Sequence, residues 1–191
     1  MLDKLIPSKV RRKILSLFYH QIDGVYYLRE IVRKTDEEVN AVKRELDILF
    51  NAKVLLRERR TNKVFYSLNK NYTLFDELLR IHTKDTQLAQ LIIENQSMLG
   101  KVKFVAISMK FSKKISIKED EIYIIFVGVI VIPEVEAIMT AARREFGWEI
   151  NFTVMTEDEL SFRKKNNDPF IWKFLKYPKV MLVGQESELI K

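Results

Sequence analysis

The side chains of this sequence best suited to recognition chemistry are an amide and two cations in one short segment. Asn40 and Arg44 are four residues apart, and their types are those that bind the edges of adenine and guanine. Lys43 adds a positive charge beside Arg44. If the segment is helical, the three side chains share one side, because positions three and four apart are neighbours on a helix. That side can then contact bases in a major groove.

Seven further cations are candidates for phosphate contacts: Lys9, Arg11, Arg12, Arg29, Arg59, Arg60 and Lys63. For any one of them, a solvated surface position is the simpler explanation. Their distribution is more informative, because residues 1–70 contain 16 Lys and Arg against 9 Asp and Glu, whereas residues 71–191 contain 17 of each. The whole net charge of +7 therefore falls in the first third. This asymmetry favours a basic, nucleic-acid-binding module joined to a neutral domain.

Hydrophobic spacing predicts three short helices and a hairpin to carry these side chains. Pro7-Ser8 indicates the start of the first helix, and residues 28–32 form the apolar side of the second. Apolar runs on either side of the polar tip 59–63 predict the hairpin, whose cations can hold phosphates or enter a minor groove. Three short helices followed by a hairpin is the element order of a winged helix-turn-helix.

The third helix is the one that would enter the groove. Residues 35–38, Thr-Asp-Glu-Glu, match the capping box S/T-x-x-E, and the buried stripe opposite the base-reading side is formed by Val39, Val42, Leu46 and Leu49. The acids at 36–38 stabilise the start of a helix. They also place negative charge where phosphates would pass, which favours an alternative in which the module binds a protein and no DNA.

Several short motifs resemble those of ArsR-like winged-helix regulators, over about residues 5–97. They are the segments 7–11, 27–31, 41–46, 63–66 and 72–75. Asn51, Ala52 and Lys53 replace the Gly-containing turn that usually joins the third helix to the wing in that family. The resemblance implies binding of double-stranded DNA by a homodimer. The metal-sensing cysteines of some relatives are absent, so metal sensing is not implied.

Residues 71–100 return to helical spacing and are expected to link two domains. In ArsR-like regulators extra helices form the dimer interface, and the resemblance implies five apolar candidates for it: Leu78, Ile81, Leu88, Leu91 and Ile92. Packing within one subunit is an equally good explanation of these residues.

Residues 101–191 alternate strands and helices and predict a small α/β domain. Three segments resemble, in their order, a minimal nucleotidyltransferase-like domain: the strand that ends at Ser108, the strand 122–132 and the segment 147–151. The strand 122–132 is apolar enough to be buried on both faces of a sheet. Active members carry a Gly-Ser turn, a D-x-D pair and a third carboxylate. The acids hold the Mg²⁺ that neutralises the charge on the transferred group.

This sequence departs from that pattern at each chemical position. Ile107-Ser108 replaces Gly-Ser, Glu121-Ile122-Tyr123 replaces D-x-D, and Asn151 stands where a third acid is plausible. A tyrosine cannot replace a metal-binding carboxylate. We therefore expect the site to be degenerate, so that the protein is not an enzyme and uses no metal or cofactor. A divergent nucleotidyltransferase, with Glu121 as one of its acids and guided by the winged helix to a macromolecular substrate, is the alternative.

Composition excludes other classes of protein. There is no cysteine for disulfides or thiolate catalysis, and His20 and His82 are too few for a histidine-rich catalytic zinc site. The longest apolar run, residues 122–133, is too short to cross a bilayer. No charged-then-apolar leader opens the chain, so we expect a cytoplasmic protein that does not contact a membrane.

Together these observations predict a two-domain chain of mixed class, α+β or α/β. Residues 1–70 form the winged helix-turn-helix, residues 71–100 the linking or dimerisation helices, and residues 101–191 the inactive nucleotidyltransferase-like domain. The expected function is that of a homodimeric transcriptional regulator reading the major groove of double-stranded DNA with its third helix. The C-terminal domain then serves assembly or senses an unidentified small molecule or protein.

Overall fold

The structure, a computed structural model, describes residues 2–191 and shows an α+β protein with two separate sheets. One sheet has three strands and the other has four. Internal contacts divide the chain into two compact units, one up to His82 and the other from Thr83 to Lys191. The mixed α+β class expected from the sequence is confirmed.

The first unit contains four helices and a small antiparallel sheet in the order β1-β3-β2. After a 3-10 turn at Leu2–Lys4, its elements are α1 (Lys9–His20), β1 (Tyr26–Tyr27), α2 (Leu28–Thr35), α3 (Val39–Asn51), β2 (Leu55–Arg60), β3 (Lys63–Leu68) and α4 (Phe75–Lys84), the last of which ends just inside the second unit. Arg60 pairs with Lys63, so a two-residue turn closes the hairpin between β2 and β3.

The core of the first unit is formed by one apolar side of each of the first three helices. Ile14 and Phe18 from α1, Ile31 from α2, and Val42 and Leu46 from α3 are all fully buried. Their spacing of four residues within α1 and α3 is the period that a helix buried along one side requires. This packing leaves the opposite side of α3 in solvent.

The start of α3 differs from the sequence prediction. Glu38 is the N-cap, and its carboxylate accepts a hydrogen bond from the backbone N–H of Ala41 at 2.9 Å. Thr35 ends α2, where its buried hydroxyl donates to the carbonyl of Ile31 at 2.8 Å. Asp36 then turns the chain with a left-handed φ of 51°. The predicted capping box at 35–38 is therefore wrong, because the Thr35 hydroxyl is already engaged in the preceding helix.

The second unit is a four-stranded sheet in the order β6-β5-β4-β7, with helices on both faces. Its elements are α5 (Gln87–Glu94), β4 (Gly100–Ser108), α6 (Met109–Ser112), β5 (Ile124–Ile130), α7 (Ile132–Phe146), β6 (Phe152–Met155), α8 (Glu157–Lys165), α9 (Pro169–Lys176), β7 (Lys179–Val183) and α10 (Glu186–Ile190). β5 and β6 are parallel, and β4 is antiparallel to both of its neighbours.

The two central strands of this sheet are buried on both faces. In β5, Ile124 and Phe126 pack into a core shared with α5 and α7, whereas Ile125 and Val127 pack into a second core shared with α8, α9 and α10. Alternate side chains of a strand point to opposite faces, so a continuous apolar run is needed to fill both cores. The prediction that this strand is buried on both sides is confirmed.

Candidate nucleic-acid interface

The exposed side of α3 carries the three residues predicted to read bases. Asn40, Lys43 and Arg44 are all exposed, whereas Val42 and Leu46 on the opposite side are fully buried. The buried side fixes the helix within its unit, and the exposed side presents amide and cationic donors to solvent. This division of a helix into a packed side and a hydrogen-bonding side is what insertion into a major groove requires.

Glu38, at the front of α3, is used to start the helix. Hydrogen bonds from the backbone N–H groups of Asn40 and Ala41 lower its pKa. The positive charge of Arg44 on the next turn acts in the same direction. The carboxylate therefore satisfies backbone donors at the helix start and helps to stabilise α3.

Glu37 faces the cations of α1. One of its carboxylate oxygens lies 3.0 Å from the Nζ of Lys9 and 2.7 Å from the Nζ of Lys13. Hydrogen bonds from Lys13 and Lys9 lower the pKa of Glu37. Lys13 also donates to the carbonyl of Thr35 at 2.7 Å. The charge of Glu37 is thus balanced within the unit, at the cost of engaging Lys9, one of the predicted phosphate ligands. Asp36 is exposed and forms no ion pair within residues 2–191.

Arg11 joins α1 to the buried side of α3. Its Nε donates to a carboxylate oxygen of Glu45 at 2.8 Å, and the hydroxyl of Ser8 donates to the other oxygen at 2.7 Å. Glu45 is only 4% exposed. Although burial favours its neutral form, the hydrogen bonds from Ser8 and Arg11 lower its pKa overall. Arg11 therefore orients α3, a use that the sequence prediction of a phosphate contact did not include.

Arg12 and Arg29, two other predicted phosphate ligands, differ in how far they are engaged. One guanidinium nitrogen of Arg12 donates to the carbonyls of Ile6 and Pro7, and so ties the segment before α1 to that helix. Arg29 in the first turn of α2 is exposed and forms no ion pair within residues 2–191. Arg29 is thus the more available of the two for an external anion.

The hairpin tip combines its cations with aromatic rings. The guanidinium of Arg60 lies 5.2 Å from the ring centre of Phe65, and the Nζ of Lys63 lies 4.4 Å from that of Tyr27. Tyr27 and Phe65 themselves meet edge to face at 5.9 Å across the β1-β3 pair. Arg59 at the same tip is exposed and forms no ion pair in the described part of the chain. The aromatic partners of these cations were missed from the sequence, since only the strand register brings Tyr27 to Lys63.

The base of the hairpin is fastened to α3. Arg57 of β2 donates to the carboxylate of Asp47 at 3.3 Å, and its guanidinium lies 4.1 Å from the ring centre of Phe50. Glu58 of the same strand accepts a hydrogen bond from Arg60 at 2.7 Å. The hairpin and α3 are therefore held together by Arg57, a contact that the sequence analysis did not identify.

One of the two histidines is a packing residue of the first unit. His82 is 1% exposed, and its ring stacks on that of Tyr19 with centres 4.8 Å apart. Burial lowers its pKa to about 4, with a smaller contribution from the charge of His20. The imidazole is therefore neutral at neutral pH.

In the second unit, Glu121, the acid at the predicted degenerate site, is paired with a lysine. Ser108 is buried, and its hydroxyl accepts a hydrogen bond from the backbone N–H of Lys110 at 3.2 Å. The Nζ of Lys110 donates to Glu121 at 2.9 Å, and this bond lowers the pKa of Glu121. The one acid present at the expected metal-binding positions is thus already paired with a side-chain cation.

The two remaining positions of that site have separate environments. Tyr123 is buried, packs edge-on against Trp148 at 5.0 Å, and donates its hydroxyl proton to the carbonyl of Ile115 at 3.0 Å. Asn151 lines a shallow cavity of about 350 Å³ together with Glu121. The structure therefore brings Glu121 and Asn151 together, and directs Tyr123 into the core.

The five apolar residues considered for a dimer interface do not share one environment. Leu88 and Ile92 are fully buried in the core of the second unit, where Leu91 also packs. Packing within one subunit, which the sequence analysis left open as an explanation, thus accounts for Leu88, Leu91 and Ile92. Leu78 is half-buried and Ile81 is 37% exposed, one turn apart on α4.

Comparisons with known proteins do not identify a relative. No family model matched the chain, and neither did any curated protein or solved structure. Among the described residues, no helix has the length and apolar character needed to span a bilayer.

Proposed function

We propose that this protein is a cytoplasmic transcriptional regulator that binds double-stranded DNA through a winged helix-turn-helix formed by its first unit. α3 enters the major groove, where Asn40 and Arg44 contact base edges and Lys43 contacts a phosphate or base. The hairpin is the wing, whose exposed cation Arg59 and ring-supported cations Arg60 and Lys63 hold the backbone. The ArsR-like motifs of the sequence support this assignment.

The observation that carries the proposal is the exposed Asn40–Lys43–Arg44 side of α3 opposite a fully buried apolar side. Unlike Lys9 and Arg11, Lys43 forms no ion pair within the described residues. The acids at 37 and 38, which had favoured a protein-binding module, are engaged by α1 and by the helix start. Asp36 is exposed and forms no ion pair within residues 2–191, so a duplex would meet Lys43 and Arg44 beside one carboxylate that is not engaged in the unit.

The test is retention of DNA by the full chain. Genomic fragments bound at low and moderate salt are enriched and sequenced, and the best fragment is titrated in a fluorescence anisotropy assay. Arg44→Ala and Lys43→Ala should weaken binding, whereas Lys118→Ala, an exposed lysine of the second unit, should not. Absence of any DNA binding by the unaltered protein at low salt would refute the proposal.

We infer that the regulator is a homodimer and that its second unit is a nucleotidyltransferase-like domain without transfer activity. The support for a dimer contact is apolar surface at helical spacing: Leu74 just before α4 and Ile81 within it are exposed, and the half-buried Leu78 lies between them. Sedimentation should then give twice the chain mass, and Ile81→Lys should shift the protein toward monomer. An unaltered protein that sediments as a monomer at micromolar concentration would remove this part of the proposal.

The Lys110–Glu121 pair is the support for an inactive second unit. A divalent cation would have to displace an ammonium group that already neutralises Glu121. Incubation with Mg²⁺ and ATP radiolabelled in its α-phosphate should therefore give no transfer of labelled nucleotide to protein or nucleic acid. Magnesium-dependent transfer that Glu121→Gln abolishes would instead establish the divergent nucleotidyltransferase.

A further inference from the structure

A cavity of about 560 Å³ opens on the second unit, away from the degenerate site. Its apolar lining comes from Phe104 of β4, Leu160 of α8 and Trp172 of α9. Phe104 and Leu160 also belong to the core beneath, so this part of the wall is fixed by packing. The volume lies within the range of sites for small molecules, which are apolar concavities with a few placed polar groups.

The rim of the cavity is predominantly cationic. Its charged residues are Lys103, Lys164, Lys165 and Lys191 against Glu157 and Glu188, and Ser161 adds a hydroxyl. Lys103 and Lys165 form no ion pair within residues 2–191, so their charge is available to a ligand. The Nζ of Lys103 lies 5.9 Å from the ring centre of Phe104, which places a positive charge beside the apolar wall.

Lys164 is held in a fixed position on the same rim. Its Nζ donates to the carbonyl of Leu189 at 3.0 Å, and its own carbonyl accepts a bond from the indole nitrogen of Trp172 at 3.3 Å. Burial lowers the pKa of Lys164, which shows that its ammonium group is partly removed from water. A negative group placed nearby would restore favourable interactions to this cation.

We propose that this cavity binds a small organic anion with a planar ring, the ring lying against Trp172, Phe104 and Leu160 and the anionic group against Lys103 and Lys165. None of Ser108, Glu121 and Asn151 lines the cavity, so the site is separate from the degenerate one. The inference goes beyond the proposed function, because it concerns the second unit alone and does not depend on DNA binding.

The experiment compares three probes that separate ring from charge. The fluorescent probe 8-anilinonaphthalene-1-sulfonate carries both aromatic rings and an anionic sulfonate. N-phenyl-1-naphthylamine has the same rings without the sulfonate, and inorganic sulfate supplies the negative charge without a ring. With the full chain, the first should bind saturably at one site per chain. The second should bind about tenfold more weakly, and sulfate should compete only weakly, because each supplies one half of the recognition.

Matched variants locate the binding. Lys103→Gln combined with Lys165→Gln should weaken binding of the sulfonate probe about tenfold, since two exposed charge interactions are removed. Lys101→Gln combined with Lys118→Gln removes the same charge from exposed positions outside the cavity and should leave the affinity unchanged. Ser161→Glu, which brings a negative charge into the rim, should weaken the sulfonate probe more than the neutral one.

Three results would each overturn the inference. The first is binding of the sulfonate probe that does not saturate at one per chain. The second is equal loss of affinity in the cavity variants and in the matched control. The third is equal affinity for the charged and neutral probes, which would show an apolar surface without anion recognition. DNA binding measured in parallel distinguishes this failure from failure of the proposed function.

Discussion

The surface of the first unit predicted to face DNA and the predicted degenerate site of the second unit differ in what their charged side chains face. In the first unit, Arg29, Lys43 and Arg59 are exposed and form no ion pair within residues 2–191. Around the degenerate site of the second unit, Lys110 faces Glu121 and Lys173 faces Asp120. Net charge follows the same division, because the excess of cations lies in residues 1–70.

This difference shows that the position of a cation in the sequence does not by itself tell whether the cation is available to bind a partner. Lys9 and Arg11 lie in the basic third of the chain, yet both pair with carboxylates of their own unit. These pairs reduce the charge that the unit offers to a partner. The first unit is suited to a polyanion through the cations that it leaves unpaired.

The largest expected effect is acid sensitivity of the first unit through His82. Its pKa is about 4 in the folded protein, against 6.5 ordinarily, so the unfolded chain binds the proton more readily. The corresponding stability is fully present above pH 6.5 and is lost as the pH falls to 4, by about 3 kcal/mol. Urea unfolding between pH 7 and pH 4 measures it, and His82→Phe should flatten the pH dependence.

The controls for this prediction lie in both units. His20→Asn should keep most of the slope, since burial is the larger cause of the shift. In the second unit, lysines lower the pKa values of Glu121 and Asp120, so those pairs contribute stability above the ordinary carboxyl pKa and lose it only at lower pH. Equal pH dependence for His82→Phe and the unaltered protein would contradict the assignment.

The next effect in size concerns the buried pair that orients α3. Glu45→Ala leaves the Arg11 guanidinium and the Ser8 hydroxyl without their partner, and should reduce the free energy of unfolding by about 2–3 kcal/mol. Glu58→Ala removes an exposed partner of Arg60 and should reduce the free energy of unfolding much less, because solvent screens this pair. Similar costs for the two substitutions in urea unfolding would show that Glu45 is not a structural ion-pair residue.

A smaller effect separates base contacts from phosphate contacts. Arg44→Ala should weaken binding to the selected DNA site by about 1–3 kcal/mol and relax its sequence preference. Lys63→Ala should weaken binding almost equally for all sequences and lower the slope of log affinity against log salt by about one. Anisotropy titrations at several salt concentrations measure both, and the reverse pattern would exchange the roles of helix and hairpin.

The smallest expected effect tests the pairing around the degenerate site. Lys110→Met removes the hydrogen bond that stabilises ionised Glu121, so the pKa of its carboxyl should rise toward the ordinary value. Because both side chains are partly exposed, the free energy of unfolding should fall by only about 1 kcal/mol. NMR titration of the Glu121 side chain checks the direction, and an unchanged pKa would mean that another group neutralises it.

The features that the sequence predicted are those encoded by local periodicity. Three of the four residues of the predicted stripe, Val42, Leu46 and Leu49, are buried and so give, by exclusion, the exposed side of α3. The prediction is wrong for Val39, which lies at the first position of the helix and is 44% exposed. The apolar run of β5 likewise predicted burial on both faces. These patterns depend on neighbours a few residues away, and so a single sequence contains them.

The features that the sequence did not predict depend on distant partners. Arg11 and Glu45 are separated by 34 positions, and nothing in either segment indicates that they pair. The same holds for Lys63 above the ring of Tyr27 and for the cap of α3, where burial of Thr35 transferred the role to Glu38. The tertiary contacts are therefore needed to decide which single cations are left available for the proposed DNA contacts.

The position of β4 in its sheet has a consequence for synthesis. β4 ends at Ser108, but one of its two neighbours, β7, begins only at Lys179. The sheet cannot be completed on the ribosome until nearly all of the second unit has emerged, whereas the small sheet of the first unit is complete at Leu68. The first unit can thus fold during translation. In the second unit, one edge of β4 stays unpaired until β7 has been synthesised.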